Sequence, residues 1–563
     1  MDGSNLAGPS SQPTVRAPPG RARRVGLHAS RLTAFGLCLA VTVLGLAFWT
    51  QGAWAWWLAG VGGALSLLGV LDLLQPQHSI RRNYPVIGHV RWLAEMVRPE
   101  LRQYLFEADE EAAPFSRSQR SLVYMRAKGE AGERPFGTLL DVYRDGYEFI
   151  GHSTRPAPVA DPASFRIVIG GPQCEQPYSA SVFNISAMSF GALSANAIRA
   201  LNRGAAAGGF YHDTGEGSIS PYHRRNGGDL VWEIGSGYFG CRDADGRFSE
   251  ANFVANATSP QVKMIELKLS QGAKPGHGGV LPGAKVTIEI ATTRGVTLGV
   301  DCVSPASHSA FGTPLEMLAF IDRLRNLSGG KPTGFKLAIG HPWEFFGIVK
   351  AMLATGITPD FIVVDGGEGG TGAAPLEFTD HVGTPLQEAL LLVHNTLVGA
   401  NLRARIKIGA SGKIITAFDI ARTLALGADW CNSARGFMFA LGCIQSQSCH
   451  TDRCPTGVAT QDPGRQRALV VPDKIQRVAN FHDNTMKALA QLIAAAGLTH
   501  PSQLRPRHLV RRISTNQVKL VSTLLPFLEA GQLLDPSQLQ RLPPVFGYYW
   551  PMAQAESFDP FCG

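Results

Sequence analysis

Three cysteines lie close together in the C-terminal third of the chain, at a spacing that suits an iron–sulfur cluster. Cys443, Cys449 and Cys454 follow the pattern C-x5-C-x4-C in GCIQSQSCHTDRCPTGVATQDP. A zinc finger would need a fourth ligand in paired CxxC or HxxxH form, so the spacing does not fit zinc. Three thiolates followed by a proline fit a 3Fe-4S cluster better than a four-iron cube, for which His450 would be the fourth ligand. Three structural thiols are the remaining alternative.

Two lysines occupy apolar runs that are predicted to be buried strands. An unpaired ammonium of Lys268 or Lys336 would be costly there, so each must face an anion. That anion could be a substrate carboxylate or the N1/O2 edge of a flavin. The alternative is a buried ion pair with one of the acids Glu266, Glu216 and Asp365.

Glycine-rich segments follow the last predicted strands. They are GGEGGTGAAP (366–375), SGK (411–413) and SARG (433–436). Small residues at strand ends let backbone N–H groups approach a phosphate, which favours a flavin or a sugar phosphate. Arg435 could add a cation or could be a solvated loop residue. The long segment 269–286, which carries Lys274 and Lys285, is predicted to cover a substrate, with a solvated turn as the alternative.

The elements that position these residues alternate between strand and helix. Eight strands are predicted: 183–188, 209–213, 263–269, 297–302, 334–339, 361–365, 405–410 and 428–432. Eight strands in this alternation, most of them apolar on both faces, predict an α/β fold, a (β/α)8 TIM barrel. A doubly wound sheet is the competing architecture, but no dinucleotide fingerprint follows the first strand.

The N-terminal part of the chain has a different character. Two apolar runs, 32–50 and 54–74, are each long enough to cross a bilayer core of about 30 Å. Seven arginines flank them, which accounts for much of the net charge of +8. This arrangement favours a transmembrane helical hairpin in the inner membrane with the rest of the chain in the cytoplasm. The alternatives are a signal peptide and a buried helical hairpin, and no nucleic-acid-binding motif is present.

These patterns predict five segments. They are a flexible basic tail (1–31), two transmembrane helices (32–75), a connecting segment (76–165), the barrel with its iron–sulfur loop (166–500) and a C-terminal extension (501–563). A charged fraction of 17% and a hydrophobic fraction of 45% exclude a disordered or disulfide-stapled chain.

The stretch from about 183 to 500 resembles the FMN-binding central and synthase domain of glutamate synthase. The matching motifs are ISAMSFGALS (185–194), DTGEG (213–217), KLSQGAKPG (268–276), SPASH (304–308), FKLAIG (335–340), GGTGAAP (369–375) and CPTGVATQDP (454–463). The resemblance implies a barrel that holds FMN and a 3Fe-4S cluster. Electrons pass through the cluster to FMN, which reduces the imine formed from 2-oxoglutarate and ammonia.

The resemblance also implies roles for individual residues. The cluster ligands are Cys443, Cys449 and Cys454. The FMN contacts are Ala187, Met188, Ser189 and Lys336 near the ring, with Gly370, Ser411, Gly412, Ala434 and Arg435 toward the phosphate. Lys274 and Arg294 match positions that bind the two carboxylates of 2-oxoglutarate, and Glu216 matches the acid beside the ammonia path.

The sequence departs from the family pattern in two respects. His277 and Val280 stand where KPGEGGQLPG is usual, and the missing Gln is a substrate ligand in the family. Residues 1–182 contain nothing like a glutaminase domain, and no C-terminal β-helical domain is recognised. We therefore expect ammonia from solution or a separate amidotransferase, or another amine, and electrons from a ferredoxin or a reductase subunit. A different imine or amine substrate, or electron transfer at the membrane without turnover, are the alternatives.

Overall fold

The computed structural model describes residues 30–76, 78–111, 114–130 and 132–561. The predicted tail of residues 1–31 therefore lies almost entirely outside the described residues. The chain divides into two compact units, Met1–Ala108 and Asp109–Gly563.

The first unit is built on two apolar helices, Thr33–Ala47 and Ala53–Leu74, which pack against each other. Small residues allow the close approach, since a Cβ on Gly62 would lie 2.8 Å from the backbone nitrogen of Thr42. Among the described residues, Ala53–Leu74 alone is long and apolar enough to cross a membrane, and the 15 residues of Thr33–Ala47 are fewer than a span needs. The membrane span predicted for residues 32–50 therefore stays a prediction. Helices Ser79–Asn83 and Gly88–Leu101 and a π-helical turn at Arg102–Phe106 follow.

The second unit contains a closed barrel of eight parallel strands. The strands are β1 (Phe183–Ile185), β2 (His212–Asp213), β3 (Leu230–Ile234), β4 (Val262–Lys268), β5 (Thr333–Leu337), β6 (Phe361–Asp365), β7 (Lys407–Ser411) and β8 (Trp430–Ser433). Each strand pairs with the next along the chain, and β8 pairs with β1. The predicted (β/α)8 barrel is confirmed, and the doubly wound sheet is excluded.

One predicted strand is wrong and one strand was missed. The run 297–302 is not in the barrel: its Leu298 and Val300 are exposed, and only Cys302–Val303 pairs, antiparallel, with Val280–Leu281. The missing barrel strand is β3, whose sequence LVWEI is fully buried. The charged Glu233 and the glycines on both sides weakened its strand pattern in the sequence. Seven of the eight predicted strands correspond to barrel strands.

Helices surround the barrel and connect its strands. They are Ala195–Gly208, Pro221–Arg224, Glu250–Ala257, Ile288–Arg294, Pro314–Leu327, Pro342–Thr355, Leu376–His381, Leu386–Gly399, Ala417–Ala425, Arg435–Leu441, Pro463–Gln466 and Val471–Ala495. Helix Val471–Ala495 packs against both Ala195–Gly208 and an earlier helix, Arg117–Lys128. Helices Val521–Leu524 and Pro544–Met552 follow near the C-terminal end.

The interior of the barrel has an apolar lower layer. It is filled by Tyr211, Val231, Met264, Phe361, Val363 and Trp430. The hairpin of strands Arg166–Ile169 and Tyr178–Ser181 contributes Ile169 and Ala180 to the same cluster. Strands Glu148–Ile150, Leu509–Ser514 and Gln517–Leu520 form a separate small sheet. Because the lower half is filled by packed side chains, a ligand can enter the barrel only from the end where the strands finish.

Candidate functional site

A cavity opens at the carboxyl ends of the barrel strands. It encloses about 1400 Å³, part of it open to solvent. Every residue that the sequence predicts for the cofactor and the substrate lines it: Ala187, Met188, Ser189, Glu216, Lys274, Arg294, Lys336, Gly370, Ser411, Gly412, Ala434 and Arg435. Cys449 lines it too. The structure therefore brings together residues that are up to 262 positions apart in the sequence, Ala187 to Cys449.

One wall of the cavity is made of backbone and small side chains. Gly215 lies against the loop after β1, where a Cβ would come within 2.7 Å of the Ser189 nitrogen. Arg435 is half-buried and donates a 2.9 Å hydrogen bond to the Thr371 carbonyl, so it joins the loops after β6 and β8. Lys413 supplies a second cation that lines the same cavity. Glycine backbone and two cations at the ends of β6, β7 and β8 fit the phosphate group of FMN.

Lys274 is a buried ammonium that faces the cavity without a hydrogen-bond partner among the described residues. Its side chain lies in the loop after β4 and the residue is 3% exposed. Burial lowers its pKa, and the nearby Glu216 offsets only part of this effect. An unpaired ammonium at a cavity wall is a ready site for an anion such as a carboxylate.

Arg294 is a second cation at the same wall. It ends the helix Ile288–Arg294 and donates hydrogen bonds to the Phe190 carbonyl at 2.9 Å and the Ser189 hydroxyl at 3.3 Å. Its guanidinium lies 5.3 Å from the ring centre of Phe239, and among the described residues no carboxylate forms a salt bridge with it. Its position is therefore fixed by neutral groups, and its charge remains available to a ligand.

The ion-pair interpretation of the two strand lysines is confirmed, although both also line the cavity. Lys268 pairs with Glu216 at 3.1 Å and with the Gln271 amide oxygen at 2.6 Å. Lys336 pairs closely with Glu233 and lies 3.6 Å from Glu266. Burial acts to raise the pKa of Glu216, but Lys268, Arg294 and Lys274 outweigh it and hold the pKa below its usual value. Glu216 is therefore an ionised acid at the cavity wall.

The segment 269–286 is packed and is not a solvated turn. The Ser304 backbone N–H donates to the Gly279 carbonyl at 2.8 Å, and a Cβ on Gly278 would collide with the Ser304 carbonyl. Val280 lines the cavity, while the His277 ring stands edge-on to Phe378 at 5.4 Å. The segment therefore forms one side of the cavity and fixes Lys274 against it.

The three predicted cluster ligands lie next to this cavity. Cys443 and Cys454 are buried, and Cys449 is half-buried. Burial acts to raise the pKa of the Cys454 thiol, but the Thr456 hydroxyl, 3.5 Å from the sulfur, and the nearby backbone N–H groups of residues 456, 458 and 459 outweigh it and lower that pKa. Among the described residues, the three sulfurs do not all lie within 4.8 Å of one another, which disfavours a single metal ion. N–H groups directed at a cysteine sulfur fit a cluster ligand, so the residues suit an iron–sulfur cluster.

Lys285 connects the cysteine loop to the cavity. Its buried ammonium donates hydrogen bonds to the carbonyls of Cys449, at 3.1 Å, and Ala192, at 3.2 Å. Arg435 approaches the Cys449 sulfur to 3.8 Å. Two cations therefore stand beside the half-buried cysteine, where they would offset the negative charge of a thiolate-bound cluster.

Sequence reasoning missed four residues of this region: Asp213, Glu233, Gln271 and Lys413. Glu233 lies in the strand that was missed, and its charge inside an apolar run is the same signal that pointed to Lys268 and Lys336. Lys413 follows Gly412 in the motif SGK, but its sequence alone does not distinguish it from a solvated lysine.

Comparisons with known proteins identify the family of this chain. Residues 162–499 match the conserved region in glutamate synthase. The chain is 40% identical to the glutamate synthase large subunit-like protein YerD of Bacillus subtilis, over 81% of this chain and 94% of that protein. It is 33% identical to the archaeal-type glutamate synthase [NADPH] of Thermotoga neapolitana, over 62% of this chain and 65% of that protein.

Among solved structures, the chain is similar to a flavocytochrome b2 variant with pyruvate bound. The TM-score is 0.38 at 12% identity, over 78% of this chain and 88% of that chain. This likeness is too distant to bear on the chemistry of the site. The family match covers more than half of the sequence and includes every residue that lines the cavity. The chain therefore belongs to the glutamate synthase family of oxidoreductases.

Proposed function

We propose that the protein is an oxidoreductase that uses FMN and a 3Fe-4S cluster to reduce a 2-imino acid, formed from 2-oxoglutarate and ammonia, to an amino acid. The observation that carries this proposal is that Lys274, whose buried ammonium has no hydrogen-bond partner among the described residues, and Arg294 line one cavity whose other wall fits a flavin phosphate. When bound, FMN would supply the reduction of the imine carbon, and the cluster would supply electrons one at a time.

The chain's own residues hold the reactants. Lys274 and Arg294 bind the carboxylates of the oxo acid, because both line the cavity and, among the described residues, neither forms a salt bridge with a carboxylate, whereas Lys268 pairs with Glu216. Glu216 is ionised and offers an acceptor for an ammonium or for a proton of the forming imine. The packed segment 269–286 limits the access of water to this side, which favours the imine over its hydrolysis.

A different set of residues would hold the two cofactors. Arg435 and Lys413, with the backbone at Gly370, Gly412 and Ala434, would hold the phosphate. The backbone of 187–189 and the Lys336 side chain would contact the ring. Cys443, Cys449 and Cys454 would ligate the cluster, and the position of Cys449 in the cavity wall supports electron transfer between the two groups.

We also propose that the protein is attached to the inner membrane. The apolar helix Ala53–Leu74 supports this placement, and the arginines on both sides of the apolar runs favour a cytoplasmic barrel. Ammonia would then come from solution or from a separate amidotransferase. Electrons would come from a ferredoxin or a reductase subunit.

The cofactors are tested by purifying the full chain in detergent. We expect a flavin absorption band in the oxidised protein, release of FMN on denaturation, and a 3Fe-4S signal in low-temperature EPR. Cys449→Ser should lose the EPR signal, whereas Cys174→Ser, which changes a cysteine of the opposite end of the barrel, should keep it. A wild-type protein with neither flavin nor cluster would overturn the proposal.

A further inference from the structure

Four ionisable side chains fill the barrel interior at the bottom of the cavity. Asp213, Glu233, Glu266 and Lys336 come from the adjacent strands β2, β3, β4 and β5. Each is at most 4% exposed. Oxygen atoms of the three carboxyl groups all lie within 4.8 Å of one another. We call these four residues the carboxyl cluster.

The carboxyl cluster contains more acids than cations. Lys336 contacts both Glu233 and Glu266, and Asp213 accepts a 3.0 Å hydrogen bond from the Gly215 N–H. One oxygen of Glu266 has no hydrogen-bond donor among the described residues. Three carboxyl groups therefore share a single ammonium.

The other groups that face the carboxyl cluster supply no second cation among the described residues. Tyr211, directly before β2, donates its hydroxyl to Asn432 on β8, and Asp365 on β6 accepts from Ser411 on β7. The next ammonium above the cluster, Lys268 on β4, is paired with Glu216. The surroundings are neutral or acidic, so they do not compensate the excess of carboxyl groups.

Like charges this close in a buried site cannot all ionise. Burial raises the pKa of Asp213 to about 7, and the neighbouring Glu233 adds to the effect. Burial and Asp213 raise the pKa of Glu266 well above its usual value. Burial acts against the charge of Lys336, but Glu233 and Glu266 outweigh it and raise its pKa. At neutral pH the carboxyl cluster therefore holds a charged lysine and at least one protonated carboxyl group.

The position of Lys336 argues against a metal ion at these three acids. The carboxyl oxygens are close enough to bind one cation, but the Lys336 ammonium already lies in contact with two of them. A metal ion would have to displace this ammonium. The group is therefore better described as a site for protons than as a site for a metal.

We propose that the carboxyl cluster is a proton reservoir, which takes up one proton when negative charge is added to the cavity above it and returns that proton when the charge leaves. Glu233 and Lys336 line the cavity, whereas Asp213 and Glu266 lie deeper, so the cluster reaches from the ligand into the barrel. The inference rests on the proposed function, because the added charge is that of reduced FMN.

The charges balance as follows. Reduction of the bound flavin by two electrons and one proton adds one negative charge to the ring. The carboxyl cluster takes up a second proton from water, so the charge of the buried region does not change. The electrons come from the external donor, a ferredoxin or a reductase, and the imine later accepts both electrons. The carboxyl cluster then returns its proton. Conversion of the imine to the amine needs two protons, and the returned proton is one of them.

The protonated carboxyl group is tested by infrared spectroscopy of the full chain in detergent, with and without flavin. We expect a carboxylic acid C=O band at neutral pH that shifts in D2O, in both forms. Glu266→Gln should lose or shift this band, and Asp213→Asn should displace it. Glu388→Gln, which changes an exposed glutamate on an outer helix, should leave it unchanged. Absence of the band from wild-type protein at neutral pH would overturn the inference, whether or not FMN is bound.

Proton uptake is tested on the flavin-loaded protein. Anaerobic photoreduction in weak buffer with a pH indicator should consume about two protons per flavin in the wild type and about one in Asp213→Asn, which removes the carboxyl group that titrates near neutral pH. Glu233→Gln serves if Asp213→Asn does not fold. An uptake of about one proton in both proteins, with flavin fully reduced, would overturn the reservoir and leave the proposed function intact. A protein without flavin would instead contradict the proposed function, and the infrared band would still decide whether the cluster holds a proton.

Discussion

At the scale of single residues, the chemistry of the site depends on which charges have partners. Lys268 and Lys336 are neutralised by glutamates, whereas Lys274 has no hydrogen-bond partner among the described residues. Arg294 is fixed by hydrogen bonds to a carbonyl and a hydroxyl, and among the described residues it forms no salt bridge with a carboxylate. Four cations near one another therefore have two different roles, and only their contacts distinguish them.

Lys274→Met should weaken the binding of 2-oxoglutarate while the flavin remains bound. Loss of a charge-assisted hydrogen bond costs about 2 kcal/mol, which corresponds to a roughly thirtyfold higher Kd. Equilibrium titration with 2-oxoglutarate, followed by the flavin spectrum, measures this Kd. Lys487→Met, at an exposed lysine paired with Asp483, is the control and should bind normally. An unchanged Kd in Lys274→Met would remove this residue from the substrate site.

Asp213 should make the stability of the protein depend on pH. Its pKa of about 7 in the folded protein is above the usual value of 3.8, so the folded state binds the proton more tightly than the unfolded state. Its contribution to stability is complete below the unfolded pKa and is lost as the pH rises through the folded pKa. Denaturant unfolding should show that, between about pH 5 and about pH 7.5, the wild type loses more stability than Asp213→Asn. Parallel losses in the two proteins would contradict the raised pKa.

At the scale of elements, strand ends and one long segment build the cavity. Sequence patterns identified seven strands because each is a short, buried, apolar run. They missed β3, where Glu233 interrupts the pattern, and they included 297–302, whose apolar Leu298 and Val300 are exposed. Residue types and spacing identified the three cysteines as cluster ligands and the glycine-rich loops as a phosphate site. The carboxyl cluster could not be predicted, because its acids come from three strands whose register only the closed barrel fixes.

Gly278→Ala should disturb the segment 269–286 without removing the flavin. The new Cβ would collide with the Ser304 carbonyl, so the segment must move, and Lys274 with it. We expect faster proteolysis within 269–286 and roughly tenfold weaker binding of 2-oxoglutarate, a loss of about 1.4 kcal/mol. The control is Gly340→Ala, because a Cβ at this position meets no atom within 4 Å. Unchanged proteolysis and binding in Gly278→Ala would show that the segment does not fix the substrate site.

At the scale of the whole molecule, the chain combines a barrel unit with an apolar N-terminal unit. The composition of the sequence predicts this division, because the long uncharged runs lie before residue 75. Length distinguishes the two helices: Ala53–Leu74 suffices for a span, and Thr33–Ala47 is shorter. A membrane span and a buried helical hairpin have the same apolar sequence pattern, so composition alone does not distinguish these two locations.

The full chain should behave as an integral membrane protein. After cell lysis, we expect it in the membrane fraction, resistant to extraction with alkaline carbonate and released by detergent, because about 20 apolar residues bind the bilayer core far more strongly than surface charges do. Recovery of the protein in the carbonate supernatant would contradict the membrane assignment.

Anaerobic reoxidation of the reduced flavin is the most direct test of whether the protein reduces an imine formed from 2-oxoglutarate and ammonia. Detergent-purified protein is reduced, freed of reductant and mixed with 2-oxoglutarate and ammonia, while the flavin band and the amino acid product are measured together. We expect the flavin band to return only when both substrates are present, with about one glutamate formed per flavin reoxidised. A flavin that stays reduced, with no glutamate formed, would contradict it.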